Sequence, residues 1–301
     1  MLPVNLQGIF PAVTTPFAPD GGVSLARLRE NIARYNQTRL AGYVVNGSTG
    51  ESVLLRWDEV DRVWEAAREA AAPGKTLIAG TAAESTAETI EHTNRAASLG
   101  YDAALVRTPH YFKPQMTGEA LSEFYLRVAD AAHIPILLYS VPIFTQLTLR
   151  ADVVALVAAH PNIIGMKDSS GDLQGITEIL GAVTADFRLL VGAVSTLHES
   201  LQNGAAGAVL AVACAFPDLC VEVYEASLAG DSNRALSAQQ KLTNAASLFG
   251  PRHGVAGLKY AMDCVGFYGG PARPPLLPVN AAAKAEINAM LASVAPEMAR
   301  K

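Results

Sequence analysis

Eight short runs rich in β-branched and apolar residues alternate along this chain with eight longer amphipathic segments, and no single motif constrains the fold as strongly. The runs are 9–13, 43–46, 76–80, 103–107, 136–139, 163–167, 189–192 and 208–211. Most are apolar at successive positions, as strands buried on both faces must be. Between them the spacing predicts helices over 25–39, 57–71, 86–99, 119–132, 151–159, 173–183, 196–202 and 218–228. Ser24, Ser85 and Asp172 stand at N-cap positions of three of these segments. Parallel strands joined by crossover helices account for the pattern. An open doubly wound sheet satisfies it too, but a count of eight pairs favours closure into a (β/α)8 TIM barrel. Further helical patterns at 232–248, 255–265 and 281–294 follow without any linker composition. The expected organisation is therefore a barrel over 1–230 with a helical extension, 231–301, packed on it.

Composition narrows the function classes. With 301 residues, 50% hydrophobic and only 17% charged, the chain can bury a large core, which excludes a disordered or coiled-coil protein. A net charge of -5 supplies no basic field for nucleic acid. The first residues lack the cationic head and apolar run of a secretory signal, and the longest mostly apolar stretch, 205–216, is too short to span a bilayer. A cytoplasmic protein without a membrane segment is expected. Three cysteines without C-x-x-C spacing and six histidines without H-x-H or H-E-x-x-H pairs show neither a disulfide framework nor a local metal motif.

In a barrel of this kind chemistry sits where strands end and loops begin. The second strand ends in Gly47-Ser48-Thr49-Gly50-Glu51-Ser52, a turn whose N–H groups and hydroxyls suit a carboxylate, although the same residues serve equally as a plain turn and N-cap. The fourth runs into the aromatic loop Pro109-His110-Tyr111-Phe112. The fifth places Tyr139 at its end, where a core tyrosine with a satisfied hydroxyl is the competing reading. The sixth is the most informative: 163–166 are apolar and lead directly into Lys167. A lysine at the mouth of an apolar barrel can become a carbonyl-attacking amine, or it can be a structural partner of an acid such as Asp168.

Taken together these junctions resemble the dihydrodipicolinate synthase/N-acetylneuraminate lyase superfamily of pyruvate-dependent class I aldolases. The segments Gly47-Ser-Thr-Gly-Glu51, Thr108-Pro-x-Tyr-x-x-Pro114, Tyr139-x-Val-Pro142 and Gly165-x-Lys-Asp168 occur in the family's order and spacing. Two further stretches, 160–168 and 266–271, most resemble 4-hydroxy-2-oxoglutarate aldolases. The resemblance implies that Lys167 forms an imine with a 2-keto acid, that Tyr139 is the acid/base, and that Ser48 and Thr49 hold the substrate carboxylate. Ser48 would also hold the Tyr139 hydroxyl. Tyr111 matches a relay tyrosine that crosses from an adjacent subunit, and Gly192 and Val209 match positions lining the bound keto acid. Cys214 stands where many relatives carry Asn, so no role is carried there.

The same resemblance implies a small-molecule 2-keto acid as partner, no cofactor, and a homotetramer built as a dimer of dimers. It also exposes a departure. Dihydrodipicolinate synthases place, at the position of Phe144, an arginine that grips the carboxylate of their second, amino-aldehyde substrate. The expected reaction is therefore cleavage of a 4-hydroxy-2-keto acid such as 4-hydroxy-2-oxoglutarate, releasing pyruvate. The alternatives are a synthase-like condensation of pyruvate with an aldehyde, and a barrel that binds a keto acid without turnover. Arg107 and Lys113, both expected on a solvated loop, are the nearest replacements for the missing charge.

Overall fold

The structure, a computed structural model, describes residues 4–294. Its strands are β1 (Gly8–Pro11), β2 (Gly42–Val45), β3 (Thr76–Gly80), β4 (Ala103–Arg107), β5 (Ile136–Ser140), β6 (Ile163–Asp168), β7 (Arg188–Val191) and β8 (Gly207–Leu210). They form one eight-stranded sheet in the order β1-β8-β7-β6-β5-β4-β3-β2, and every register recorded between β3 and β8 is parallel. A parallel bridge between Ala12 and Val44, with the Val13 N–H donating to the Val44 carbonyl at 2.9 Å, joins the two ends of that order. This is the (β/α)8 TIM barrel that the alternation implies, and each strand lies within a residue or two of its expected place.

The helices are α1 (Leu25–Tyr35), α2 (Trp57–Ala70), α3 (Thr86–Ser98), α4 (Gly118–Ala131), α5 (Pro142–Thr145), α6 (Ala151–Val157), α7 (Leu173–Ala182), α8 (Leu197–Gln202), α9 (Pro217–Leu228), α10 (Ser232–Ser247), α11 (Gly254–Cys264) and α12 (Ala281–Val294). No helix among the described residues is long and apolar enough to cross a membrane. The first helix stops four residues short of Arg39, where the Gln37 N–H turns to the Arg34 carbonyl and the Thr38 N–H and hydroxyl to the Tyr35 carbonyl. Asn36 turns its side chain to other groups, donating to the Ala70 carbonyl and accepting from the Tyr43 hydroxyl and the Ala72 N–H. Of the three expected caps, Ser85 accepts from the Glu88 N–H at 3.2 Å, whereas the side chains of Ser24 and Asp172 make no capping bond.

The chain divides into two compact units, Met1–Gly8 with Thr76–Val209, and Ile9–Lys75 with Leu210–Lys301. In the first unit, α3, α4, α6, α7 and α8 pack in sequence outside their strands. In the second, α1 packs on α2, and the appended α10 lies along α9. Between α10 and α11 the chain makes a single π-helical turn, Leu248–Arg252.

One irregularity decides which side chains meet. Ile136 pairs with Ile163, but its neighbour Leu137 pairs with Gly165, so Ile164 is an extra residue on β6. Such a bulge shifts the phase of everything beyond it. Glycine is required at the next position, because a Cβ on Gly165 would lie 2.1 Å from the Arg188 carbonyl oxygen. Past the bulge, Tyr139 pairs with Lys167 and Arg107 with Tyr139. Register partners in a parallel sheet face the same side, so these three share one face at the C-terminal ends of their strands.

Candidate active site

Lys167 is 5% exposed, and so is Tyr139. The lysine Nζ lies 3.4 Å from the Tyr139 hydroxyl and 4.4 Å from the centroid of its ring. Asp168, the next residue along the strand, points to the other face. Its carboxylate accepts from the Ser170 N–H at 2.8 Å and from the Ser170 hydroxyl, and burial raises it above the ordinary aspartate value of 3.8. The structure thus gives Asp168 its own partners and leaves the Lys167 amine facing a phenol, which can both give and take a proton.

The floor beside this pair is backbone. The Gly192 N–H donates to the Asp168 carbonyl at 2.6 Å, and a Cβ on Gly192 would stand 1.9 Å from Ser169 Oγ, so no larger residue fits. Val209 is fully buried within β8. Arg107 ends β4 as the run 103–107 predicts, but its side chain is not solvated: it is only 12% exposed, and its buried Nε has no hydrogen-bond partner among the described residues. Lys113, by contrast, opens a short 3₁₀ turn, Lys113–Gln115, in the loop after β4. Tyr111 is 77% exposed in that loop, its ring packed edge-on against Phe112 at 5.1 Å between centroids. Ile143 and Phe144 lie in α5, each 63% exposed.

In the other unit, Ser48 and Thr49 form a 3₁₀ turn, Ser48–Gly50, after β2. The turn is braced from inside. The Thr15 hydroxyl donates to the Gly50 carbonyl at 2.7 Å, and Glu51 holds a left-handed φ of 57°. A side chain from a distant helix meets Glu51 there. Lys259, on α11 and 0% exposed, is ion-paired with Glu51 Oε1, and it donates to the carbonyls of Thr15 at 2.8 Å and Pro271 at 2.9 Å. The other Glu51 oxygen accepts the Arg273 N–H at 2.7 Å. Arg273 in turn forks onto Glu59 with two bonds of 2.6 Å and holds that carboxyl below its usual range.

The two buried lysines therefore differ in their surroundings. Burial lowers the Lys259 pKa while Glu51 opposes the change, and three oxygens occupy its three donors. An ammonium so held has no free pair to attack a carbonyl. Lys167 faces one phenol. Burial alone does not distinguish a nucleophile from a strut; the number of fixed acceptors does. Cys214 is likewise structural: burial pushes its thiol up to about 12, its Sγ donates to the Ala12 carbonyl at 3.1 Å, and its own carbonyl accepts from the Tyr35 hydroxyl at 2.8 Å.

Comparison with known proteins places this geometry. The chain is 36% identical, over 95% of its length and 96% of the relative's, to the 4-hydroxy-tetrahydrodipicolinate synthase of Methanothrix thermoacetophila. Among solved structures it resembles the chloride-inhibited dihydrodipicolinate synthase of Acinetobacter baumannii complexed with pyruvate, with a TM-score of 0.92 and 31% identity over 96% of this chain and 99% of that one. It also resembles the dihydrodipicolinate synthase of Aquifex aeolicus, with a TM-score of 0.91 and 29% identity over 96% of this chain and 98% of that one. The profile of the dihydrodipicolinate synthetase family matches residues 5–294. A strand-end lysine beside a strand-end tyrosine thus stands within a chain that belongs, over nearly its whole length, to the dihydrodipicolinate synthetase family.

Proposed function

We propose that the class I lyase chemistry of this family runs here through an imine on Lys167. The carrying observation is the buried Lys167 amine, 3.4 Å from the Tyr139 hydroxyl. The amine adds to C2 of pyruvate, Tyr139 supplies the proton with which water leaves, and a cationic imine remains. Loss of a proton from C3 then gives an enamine whose carbon attacks an aldehyde. Hydrolysis of the new imine frees the product and restores the lysine. Ser48 and Thr49 take the substrate carboxylate, Gly192 and Val209 line the keto acid, and Tyr111 relays protons from a neighbouring subunit.

The names of the relatives favour condensation of pyruvate with an aldehyde as the working direction. The specific observation on the other side is Phe144, which carries no charge for a second carboxylate. It favours a 4-hydroxy-2-keto acid whose aldehyde fragment brings no carboxylate to position 144, whether the bond is broken or made. Assays of pyruvate release from several 4-hydroxy-2-keto acids, beside condensation of pyruvate with aspartate semialdehyde, separate the two. Phe144→Arg is expected to raise kcat/KM for the semialdehyde by roughly one to two decades, the equivalent of a charge-assisted contact of ~1.5–3 kcal/mol. An unchanged value in this variant shows that position 144 does not set the choice.

The assembly is tested through Tyr111. Each site of a dimer would take Lys167 from one subunit and Tyr111 from the other, so Tyr111→Phe and Lys167→Ala homodimers are both impaired. A mixed dimer gathers both defects into one site and leaves the other intact. Activity is therefore expected to rise on mixing, toward half that of the wild-type dimer in each mixed species. Activity that stays flat despite verified subunit exchange overturns the shared site.

A further inference from the structure

Within its own chain the Tyr111 ring is 77% exposed and meets the adjacent Phe112 ring, so its direction there depends on the backbone beneath it. That backbone is tied at consecutive residues to one side chain. Glu84, in the loop after β3, accepts the His110 N–H at 2.8 Å and the Tyr111 N–H at 2.9 Å on Oε2. Its Oε1 accepts from Arg107 Nη2 at 3.1 Å and lies 2.8 Å from Nδ1 of the His110 ring. One carboxylate thus gathers the end of β4 and the first half of the following loop. The loop leaves the sheet beside Tyr139, where the Thr108 N–H donates to the Tyr139 carbonyl at 3.4 Å. Two consecutive N–H groups held by one oxygen fix the peptide plane between them, and with it the direction in which Tyr111 projects its Cβ.

We propose that Glu84 is a positioning residue for Tyr111, acting through the backbone of residues 110 and 111. The assignment rests on the reading of Tyr111 as the proton relay. Burial works against the charge of Glu84, but the N–H groups of His110 and Tyr111, with Arg107 beside them, hold its carboxyl below the usual range. Glu84 therefore acts as an anion near neutral pH. Arg107 makes the clamp more than a loop bond, because it ties Glu84 to the end of the strand next to Tyr139.

Pyruvate alone suffices for the test, since exchange of its methyl protons with deuterated water reports enamine formation without any second substrate. Tyr111→Phe is expected to slow exchange by about a hundredfold, the scale of a lost acid–base group. Glu84→Ala should slow it about tenfold, with the half-saturating pyruvate concentration and the melting temperature close to wild type. Glu84→Gln keeps an oxygen acceptor for the two N–H groups and should recover most of that loss. The double variant Glu84→Ala, Tyr111→Phe should exchange no more slowly than Tyr111→Phe alone, because a positioning residue has nothing left to position. Losses that multiply in the double variant overturn the proposal, as does a Glu84→Ala protein of full activity when Tyr111→Phe is impaired. Full activity of Tyr111→Phe removes the relay role itself, and the proposal with it. If Glu84→Ala fails to fold, the same cycle is read with Glu84→Gln, where a loss that survives undiminished in the Tyr111→Phe background likewise overturns it.

Discussion

Replacing Lys167 by alanine is expected to abolish the borohydride-trapped pyruvate adduct and to slow methyl-proton exchange by at least about a thousandfold, a barrier increase of ~4 kcal/mol. The size follows from the chemistry, since without an amine no imine forms and C3 keeps the acidity of a simple ketone. Peptide mass spectrometry of the reduced wild-type protein should place the added mass on Lys167. Lys259 supplies an internal control. It is more deeply buried than Lys167, but Glu51 and the carbonyls of Thr15 and Pro271 hold its three donors. An adduct that persists in the Lys167→Ala protein and maps to Lys259 would falsify the argument that fixed acceptors, and not burial, separate the two lysines.

The second large effect concerns Lys259 itself. Lys259→Met leaves Glu51 buried beside no cation, and breaking a buried pair in this way typically costs about 3–5 kcal/mol of folding stability. Glu51 also carries a left-handed backbone, which disfavours a non-glycine residue by roughly 1–2 kcal/mol. Once the anchor is gone, the Ser48–Gly50 turn is expected to loosen and the half-saturating pyruvate concentration to rise. Adding Glu51→Gln removes the stranded charge and should recover a substantial part of the lost stability. Denaturant unfolding of the wild type, the single variant and the double variant checks both steps. A Lys259→Met protein within about 1 kcal/mol of wild type would show that the pair is not holding the turn.

The barrel was legible because its signal is local. Eight apolar runs and their intervening helices are each written in consecutive residues, and α1 ends short of 39 where Gln37 and Thr38 turn back onto the carbonyls of Arg34 and Tyr35. The motif positions of Lys167 and Tyr139 were legible for the same reason. What remained hidden depends on residues far apart in the chain. Lys259 donates to a carbonyl 244 residues away, and nothing in the helical pattern of 255–265 marks it as a partner of Glu51. Its one local signal is that it interrupts the apolar face made by Leu258, Ala261 and Met262, all buried. Glu84 carries no signal, being an acid in a loop whose donors lie 23 to 27 residues on. Arg107 ends the run 103–107 as read, but a terminal arginine looks solvated in a sequence, whereas here its side chain is 12% exposed and donates to Glu84 across 23 residues.

The extra residue on β6 gives this scaffold an asymmetry between kinds of genetic change. Were the register of Ile136 and Ile163 carried on without a bulge, Ser140 would stand opposite Lys167; because Ile164 is left unpaired, Tyr139 takes that place. The reacting pair thus depends on a one-residue offset between β5 and β6 that is taken up at Ile164. Substitutions in 163–166 that conserve volume leave the offset untouched, and loss of Ile164 alone closes the bulge with Tyr139 still opposite Lys167, whereas gain of one codon there, with the bulge kept at one residue, sets Ser140 opposite Lys167 and parts the amine from the phenol. The α5 residues Ile143 and Phe144, exposed and outside the sheet, carry no such constraint. Lineages built on this barrel can therefore vary chain length and chemistry around residues 143 and 144, while the segment leading to Lys167 cannot lengthen without moving the amine away from Tyr139.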